Sequence, residues 1–348
     1  MSLSSLHAAL PAPAQRTARH LWHRVVRARF FCALLRDNWL DSLAFLRHSH
    51  DGRTDRARAQ QENAIVKMYH GVEKGLCLAE PRPGFGKVKI RHLTRKIDDW
   101  LAKNPATPLI LSAIGSLESY QRFNAAHDAA SPWLEDWLRR TRARVSGGHL
   151  PAGSVEQHCA LGGTRTRSRD EILEAVAGTG AAFFETRHSM RQFGPGPVPA
   201  AVIEEAVRRA QRAPSACNRQ GPRVHAFANA IDALQYQPGN AGFGASAGYG
   251  LVVTSDLQCF SGAGERHQAY VDGGIFAMAL VYALHAQGYG SCMLAWNAAP
   301  EHDRKTKAAL GIPESEVIVM MIAVGELPET FQAAQSARRP VEAVLRRA

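Results

Sequence analysis

The sequence lacks several patterns that identify common classes of protein. Its six cysteines are widely spaced and include no C-x-x-C pair, which argues against a zinc ribbon or a thioredoxin-like redox pair. Its longest strongly apolar run, 273–284, is shorter than the ~20 residues that cross a bilayer. The motifs G-K-[ST] and H-E-x-x-H are absent. Without a secretory signal, we predict free thiols and a cytoplasmic location, and we predict no metal site.

The chain is basic, and its charge is unevenly distributed. Its 348 residues carry a net charge of +11, and residues 1–60 alone hold ten arginines and four aspartates, a net of +6. Apolar pairs such as Leu21/Trp22 and Phe30/Phe31 alternate with these arginines, which predicts a basic amphipathic helix. Such a helix is typical of a transit peptide, a peripheral membrane segment, a partner-binding surface or a solvated face. No basic surface with interleaved aromatic residues is present, so we predict no nucleic-acid partner.

The length allows about two domains, and the pattern changes near the middle of the chain. Residues 1–150 show helical periodicity. Residues 146–168 are rich in Gly, Ser and Thr, which predicts a linker before a second domain at 169–348. The helices predicted in the first domain lie at 56–74, 89–103, 112–126 and 132–144. We expect the first of them to end at Gly75, because glycine is favoured just past a helix C-terminus.

The second domain mixes helices with strands, which predicts an α+β fold. The apolar run 273–284 predicts a helix that is buried on nearly all sides. The other predicted helices lie at 170–185 and 199–213, and the predicted strands lie at 223–228, 249–255, 291–296 and 317–325.

The stretch RHSMRQF carries the first candidate binding residues. If it is extended, Arg187, Ser189 and Arg191 point the same way. Two guanidinium groups and a hydroxyl suit a phosphate dianion. A solvated surface pair of arginines is the simpler alternative.

The stretch PSACNRQ carries the second set. Asn218 and Gln220 each offer a donor and an acceptor, as the edge of a polar heterocycle requires. Ser215 and Ala216 are small enough for a flat ligand to approach the backbone. Cys217 has no evident base beside it, so we predict that it packs and is not a nucleophile.

Two further stretches are rich in glycine. In GYGSCML, Gly288 and Gly290 end the apolar helix, either as an ordinary helix end or to let a ligand approach the backbone. In GFGASA, residues 242–247 match G-x-G-x-x-A, but they precede a predicted strand. A dinucleotide-binding loop needs the reverse order, so we reject that interpretation.

In order, these stretches resemble the nitroreductase family of FMN-dependent oxidoreductases. The family pattern begins with R-x-S-x-[RK]-x-F and P-S-x-x-N-x-Q, here RHSMRQF and PSACNRQ. A long interface helix follows, then a strand ending in Gly325 and Glu326, and a basic tail with R-x-P, here ARRPVEAV. The resemblance covers about 170–348 and implies a mixed sheet flanked by helices.

The resemblance also implies a cofactor and a set of site residues. It implies FMN, reduced by NADH or NADPH in a ping-pong hydride mechanism that serves a small electron acceptor, in a homodimer with the flavin between the subunits. No side chain is implied as a catalytic acid or base. The implied cofactor-binding residues are Arg187, His188, Ser189, Arg191, Pro214, Ser215, Ala216, Asn218, Gln220, Gly290, Ser291 and Arg338.

Two positions depart from the family pattern. The family often has Lys where this chain has Ser336, and Gly221 separates Gln220 from Pro222. The front half, with MYHGVEKGLCL, resembles an extension of nitroreductase-like proteins of bacterial polysaccharide biosynthesis. An alternative is a flavin-binding scaffold without turnover, which its basic N-terminus docks on a membrane or a synthase complex.

Overall fold

The computed structural model describes residues 12–49, 57–147, 151, 153–166, 168–334 and 338–347. The helices are α1 (Ala12–His48), α2 (Arg58–Leu76), α3 (Lys87–Leu101), α4 (Pro108–Ala125), α5 (Pro132–Ser146), α6 (Ser154–Cys159), α7 (Arg169–Val176), α8 (Ala181–Glu185), α9 (Ala200–Ala210), α10 (Ala230–Leu234), α11 (Gln268–His285), α12 (Pro300–Leu310) and α13 (Val341–Val344). The strands are β1 (Pro222–Phe227), β2 (Tyr249–Asp256), β3 (Tyr289–Ala295) and β4 (Glu316–Glu326).

Helices α2 to α6 form a bundle around a core of their own, which confirms the predicted helical N-terminal region. Helix α4 lies at its centre, where Ile110, Ile114 and Leu117 are fully buried. Thr107 caps the N-terminus of this helix, since its side chain accepts a hydrogen bond from the Ile110 N–H at 3.3 Å. Pro108 follows in the first turn, where proline is favoured.

Part of the segment predicted as a linker packs against this bundle. Helix α6 lies within it, and Val155 and Cys159 are buried in the bundle core. A Cβ atom on Gly115 of α4 would overlap the carbonyl oxygen of Cys159, so the two backbones meet where only glycine fits. Because residues 148–150, 152 and 167 lie outside the described residues, the domain boundary stays a prediction.

The four strands form one sheet in the order β1-β2-β4-β3, and every pair of neighbours is antiparallel. Each strand ends within two residues of its predicted bounds. Among the described residues there is one parallel pairing, an isolated bridge between Ser189 and Ser291 of β3. The α+β class is confirmed, and the mixed character expected of the sheet is limited to that bridge.

Helices cover both faces of the sheet. Leu251 and Val253 of β2 pack with α9 and α11 on one face. Val252, between them, packs with α10 on the other face. This alternation follows from the two-residue period of a strand, and it explains why β2 reads as a continuous apolar run.

Two predicted helix boundaries are wrong. The single helix expected over 170–185 is two helices, α7 and α8, because Gly178 and Gly180 stand between them. Helix α2 continues through Gly75, which does not cap it. The Phe85 ring occupies the space of a Gly75 side chain, so packing accounts for this glycine.

Helix α1 extends away from the rest of the chain. Its C-terminal end packs on the body, where Phe45 contacts the cluster of Leu257 and Phe260. Large apolar side chains such as Trp22 and Phe31 are exposed. At 100° per residue these two point to opposite sides, so the single apolar face predicted for this helix is not found. No helix among the described residues is long and apolar enough to cross a membrane.

Two helical glycines should respond in opposite ways to alanine. Gly71→Ala in α2 meets no atom within 4 Å and should stabilise the protein by about 0.5–1 kcal/mol, because alanine restricts the unfolded chain. Gly115→Ala in α4 collides with the Cys159 backbone and should cost about 1–3 kcal/mol. Urea unfolding of both variants measures the difference. Equal stability of the two variants would contradict the close packing of α4 and α6.

Candidate functional site

An extended segment follows α8 and runs along the edge strand β3. Ser189 forms the parallel bridge to Ser291, and the Met190 N–H donates to the Ser291 carbonyl at 2.9 Å. Met190 is buried, whereas Arg187 and Ser189 are half-buried and Arg191 is exposed. The strand pairing therefore leaves the two arginines and the hydroxyl on one accessible edge of the sheet.

This edge is positively charged. Neither Arg187 nor Arg191 has an ion-pair partner among the described residues. Burial lowers the pKa of His285, and the nearby Arg187 and His188 lower it further. Burial raises the pKa of Cys292, although Arg191 and Arg187 oppose that shift. Two cations without an ion-pair partner among the described residues can attract an anion, so binding of a phosphate here stays a prediction.

The end of β4 fixes this segment in place. A Cβ on Gly325 would lie 2.6 Å from the Phe193 ring, so the ring packs directly on the strand backbone. The Gly194 N–H donates to the Glu326 carbonyl at 3.0 Å, and the Gly196 N–H donates to the Glu326 carboxylate at 2.7 Å. The Gly-Glu pair that closes β4 therefore holds the segment that carries the arginines.

Gly290 and Ser291 lie beneath the same segment. Both are buried. A Cβ on Gly290 would lie 3.1 Å from the Met190 side chain and 3.3 Å from that of Leu327, so packing within the chain accounts for this glycine. The contact of this backbone with a ligand stays a prediction.

The C-terminal tail approaches the arginines. The Gln332 N–H donates to the Gln192 side chain at 2.9 Å, next to Arg191. Arg338 is exposed. Ser336 lies outside the described residues, so its effect on the tail is untested.

The loop after α9 has an unusual backbone. Cys217, Asn218 and Gln220 all have φ near +50°, a region that non-glycine residues rarely adopt. The Ser215 hydroxyl accepts a hydrogen bond from the Gln220 N–H at 3.0 Å, and the Ser215 carbonyl accepts one from the Asn218 N–H at 3.0 Å. The side chains of Asn218 and Gln220 are exposed, as is Pro214. The loop is thus closed on itself and presents its amides outward.

Sequence reasoning missed the residue that anchors this loop. Asp272 in α11 is 2% exposed, and its carboxylate accepts a hydrogen bond from the Ala216 N–H at 2.9 Å. Gln268 donates to its other oxygen at 2.8 Å. A single carboxylate directly before the apolar run 273–284 was the available signal, because a buried charge needs a hydrogen-bond partner.

The neighbouring positions also have structural explanations. Cys217 is half-buried, and no described side chain pairs with it as a base. Gly221, a departure from the family pattern, lies against Phe260: its Cβ would be 3.1 Å from the ring and 3.2 Å from the Ser255 hydroxyl.

The loop and the arginine segment lie at opposite ends of α11. Ala216 bonds to Asp272 near the beginning of the helix. Thr186, beside Arg187, contacts His285 at the helix end, with 3.1 Å between the Thr186 Oγ1 and the His285 Nε2. Thirteen residues separate Asp272 from His285, which is about 20 Å of helix. One chain therefore does not bring the two sets of predicted site residues together.

Helix α11 presents an apolar face between these ends. Val271 is 50% exposed and Ile275 is 42% exposed, and Met278 and Tyr282 continue the row as half-buried side chains. Steps of four, three and four residues place the row on one side of the helix. The inner side of the helix packs on the sheet.

A cavity of about 810 Å³ adjoins the loop. Its walls include Ile203 and Val207 of α9, Pro214 and Gln220 of the loop, and Glu62 of α2. This volume lies within the range of small-molecule sites. The helical N-terminal region thus forms one wall of a cavity whose other walls belong to the second domain.

Two motif matches near β2 lack the structural context of a catalytic loop. Residues 242–247 match the dinucleotide pattern, and 244–248 match G-x-S-x-G. Both lie in a turn that leads into β2, whereas each motif requires a strand that leads into a helix. The Ser246 hydroxyl donates to the Phe243 carbonyl at 2.8 Å. No group of three metal-ligating side chains occurs within the described ranges.

Comparison with known proteins identifies the second domain. The family model described as "Nitroreductase family" matches residues 184–241 and 227–326. No curated protein matches the sequence.

Several solved structures are distantly similar. The nitroreductase family protein from Streptococcus pneumoniae TIGR4 is 22% identical and covers 48% of this chain and 98% of its own, with a TM-score of 0.42. An FMN-dependent nitroreductase from Clostridium difficile R20291 is 19% identical and covers 44% and 91%, with a TM-score of 0.39. NfrA2 from B. megaterium is 20% identical and covers 47% and 72%, with a TM-score of 0.43. At this distance the structures do not identify a cofactor. Through the match of the family model, the chain carries, at residues 184–326, a domain of the nitroreductase family.

Proposed function

We propose that this chain is an FMN-dependent oxidoreductase that takes electrons from NADH or NADPH and reduces a small acceptor. The match to the nitroreductase family supports the reaction class. The fit of the cofactor rests on this chain's own residues. Arg187 and Arg191 are cations without an ion-pair partner among the described residues, and a phosphate dianion complements them.

The active assembly in this proposal contains two copies of the chain. The observation that carries it is the placement of the two halves of the site at opposite ends of α11. If a two-fold axis perpendicular to α11 relates two chains, the exposed face of α11 at Val271 and Ile275 packs on the same face of the second chain. The beginning of one α11 helix then lies beside the end of the other. The loop of one copy then meets the arginine segment of its partner.

Each group has a distinct task in this arrangement. Arg187, Ser189 and Arg191 bind the phosphate, and the tail near Gln192 closes over it. Asn218 and Gln220 of the other copy orient the ring through their amides. FMN, when bound, supplies the hydride chemistry, so no side chain of this chain needs to act as an acid or a base.

The acceptor has its own place in the proposal. The 810 Å³ cavity beside the loop is lined by the aliphatic Ile203 and Val207 of α9 and by charged side chains such as Glu204 and Arg223. This lining suits a small acceptor with an apolar body and polar substituents. Use of the enzyme in polysaccharide biosynthesis rests only on the resemblance of the front half. A location in the cytoplasm or at a membrane surface likewise stays a prediction.

Turnover separates this proposal from a flavin-binding scaffold. Purified protein should be yellow, and its visible absorbance should bleach on anaerobic addition of NADH or NADPH and return with an acceptor such as a quinone. The measurement is the absorbance near the flavin maximum after each addition. Bound flavin that neither coenzyme reduces would favour the scaffold.

Removal of both guanidinium groups should remove the flavin. Arg187→Gln with Arg191→Gln should weaken FMN binding by about 100-fold or more, because each charged hydrogen bond contributes about 1.5–3 kcal/mol. The matched control is Arg139→Gln with Arg140→Gln, two exposed arginines that pair with Asp136 on α5. Fluorescence titration with FMN measures both. Stoichiometric flavin in the first variant would show that the phosphate binds elsewhere.

Mixing two defective chains should restore binding if each site uses two copies. The partner variant is Asn218→Gly with Gln220→Gly, which removes the amides and keeps a backbone at positive φ. Random assembly with the arginine variant gives about half mixed dimers, each with one intact site, so roughly a quarter of all sites should bind FMN. Flavin content after co-expression measures this fraction. If the mixture binds no more than either variant alone, the site lies within one chain.

A further inference from the structure

The helical N-terminal region contacts the candidate flavin loop directly. Helix α2 packs against the turns at 216–218 and 257–259. Its Lys67 Nζ donates to the Ser261 hydroxyl at 2.7 Å and lies 3.4 Å from a Glu265 carboxylate oxygen. A lysine of the first domain therefore reaches an acid of the second.

Glu265 joins that lysine to the loop. Its carboxylate accepts hydrogen bonds from the Arg219 guanidinium at 2.8 Å and from the Ser261 N–H at 2.7 Å. Burial alone would raise the pKa of Glu265, but these hydrogen bonds and the charges of Arg219 and Lys67 hold it below its ordinary value. The carboxylate is therefore ionised and bridges two cations at neutral pH.

Arg219 ends the chain of contacts inside the loop. It is 4% exposed, and its Nε donates to the Ala216 carbonyl at 2.9 Å. Its guanidinium lies 5.3 Å from the centre of the Phe260 ring. Its Nη2 has no hydrogen-bond partner among the described residues, so Glu265 is the carboxylate that neutralises this buried charge.

We propose that Lys67, Glu265 and Arg219 are positioning residues through which the N-terminal helical region holds the loop in its binding conformation. The identity of the loop's ligand rests on the function proposed above. The stabilisation of the loop conformation by these three residues does not depend on that function. Arg219 bonds to Ala216, and the left-handed residues Cys217 and Asn218 follow at once. If Glu265 loses its charge, a buried guanidinium is left without a partner and must move, taking the Ala216 carbonyl with it.

Hydrogen exchange in the full-length, flavin-free chain tests the holding directly. The N–H groups of residues 216, 218, 219 and 220 are all hydrogen-bonded within the loop or to Asp272. Glu265→Gln should speed exchange of the 213–221 peptide roughly 10-fold, and Lys67→Met should speed it roughly 3-fold. Lys67→Arg should exchange at the wild-type rate, because arginine keeps the positive charge at this position.

A matched pair of variants controls for loss of surface charge. Glu301→Gln and Lys305→Met break an exposed ion pair of 2.9 Å on α12 and should leave exchange of the loop unchanged. If Glu265→Gln and Lys67→Met both leave the loop peptide at the wild-type rate, the proposal is overturned. This result does not depend on whether the chain binds flavin.

Flavin binding supplies a second readout that tests the consequence of the holding. Glu265→Gln should weaken FMN binding roughly 10-fold and change the circular dichroism of the bound flavin, while Lys67→Arg should keep both at wild-type values. If the variants exchange faster but the wild-type chain binds no FMN, the proposed function alone is disproved. Faster exchange with unchanged FMN affinity would disprove the positioning role alone.

Discussion

The length of α11 is the constraint on which the rest of the second domain depends. The helix is anchored to the loop at Asp272 and to the arginine segment near His285, and it is too rigid to bring those ends together. The sheet also separates the arginine segment from the loop. Ser189 pairs with the β3 edge, whereas the loop leads into β1 at the opposite edge, three strand spacings or about 14 Å away. A site that needs both sets of residues therefore needs a second chain.

The loop depends on contacts outside itself. Three non-glycine residues at positive φ cost about 1–3 kcal/mol each, a sum that the loop's internal hydrogen bonds do not offset alone. Asp272 holds its first amide, and Arg219 holds the carbonyl of the same residue. Both holders are buried, so the strain is fixed before any ligand arrives. The backbone that carries Asn218 and Gln220 is therefore fixed, which lowers the entropy lost on binding.

The sequence predicted the elements whose signal is local. The four strands follow apolar runs bounded by polar or glycine residues, and each lies close to its expected position. The errors arise at positions where tertiary contacts, and not the local sequence, determine the structure. Gly75 resembles a helix end, but the Phe85 ring explains it. Asp272 and Glu326 position the site through partners more than 50 residues away along the chain, and no spacing in the sequence records such a pairing.

In the proposed dimer, the positive charge near β3 would couple assembly to the binding of an anion. Arg187, His188 and Arg191 lie close together in the chain beside β3. Burial is the main cause of the lowered pKa of His285, and the charges of Arg187 and His188 lower it further, so this cluster adds a penalty for a further cation. An anion that neutralises the cluster removes that penalty, so it stabilises the folded chain by mass action. If the loop of a second copy completes the site, the anion also binds the assembled pair better than the single chain. By linkage, the pair must then form more readily when the anion is present, and the two affinities rise by the same factor. If the anion is the flavin of the proposed function, flavin content and oligomeric state are linked equilibria and should change together.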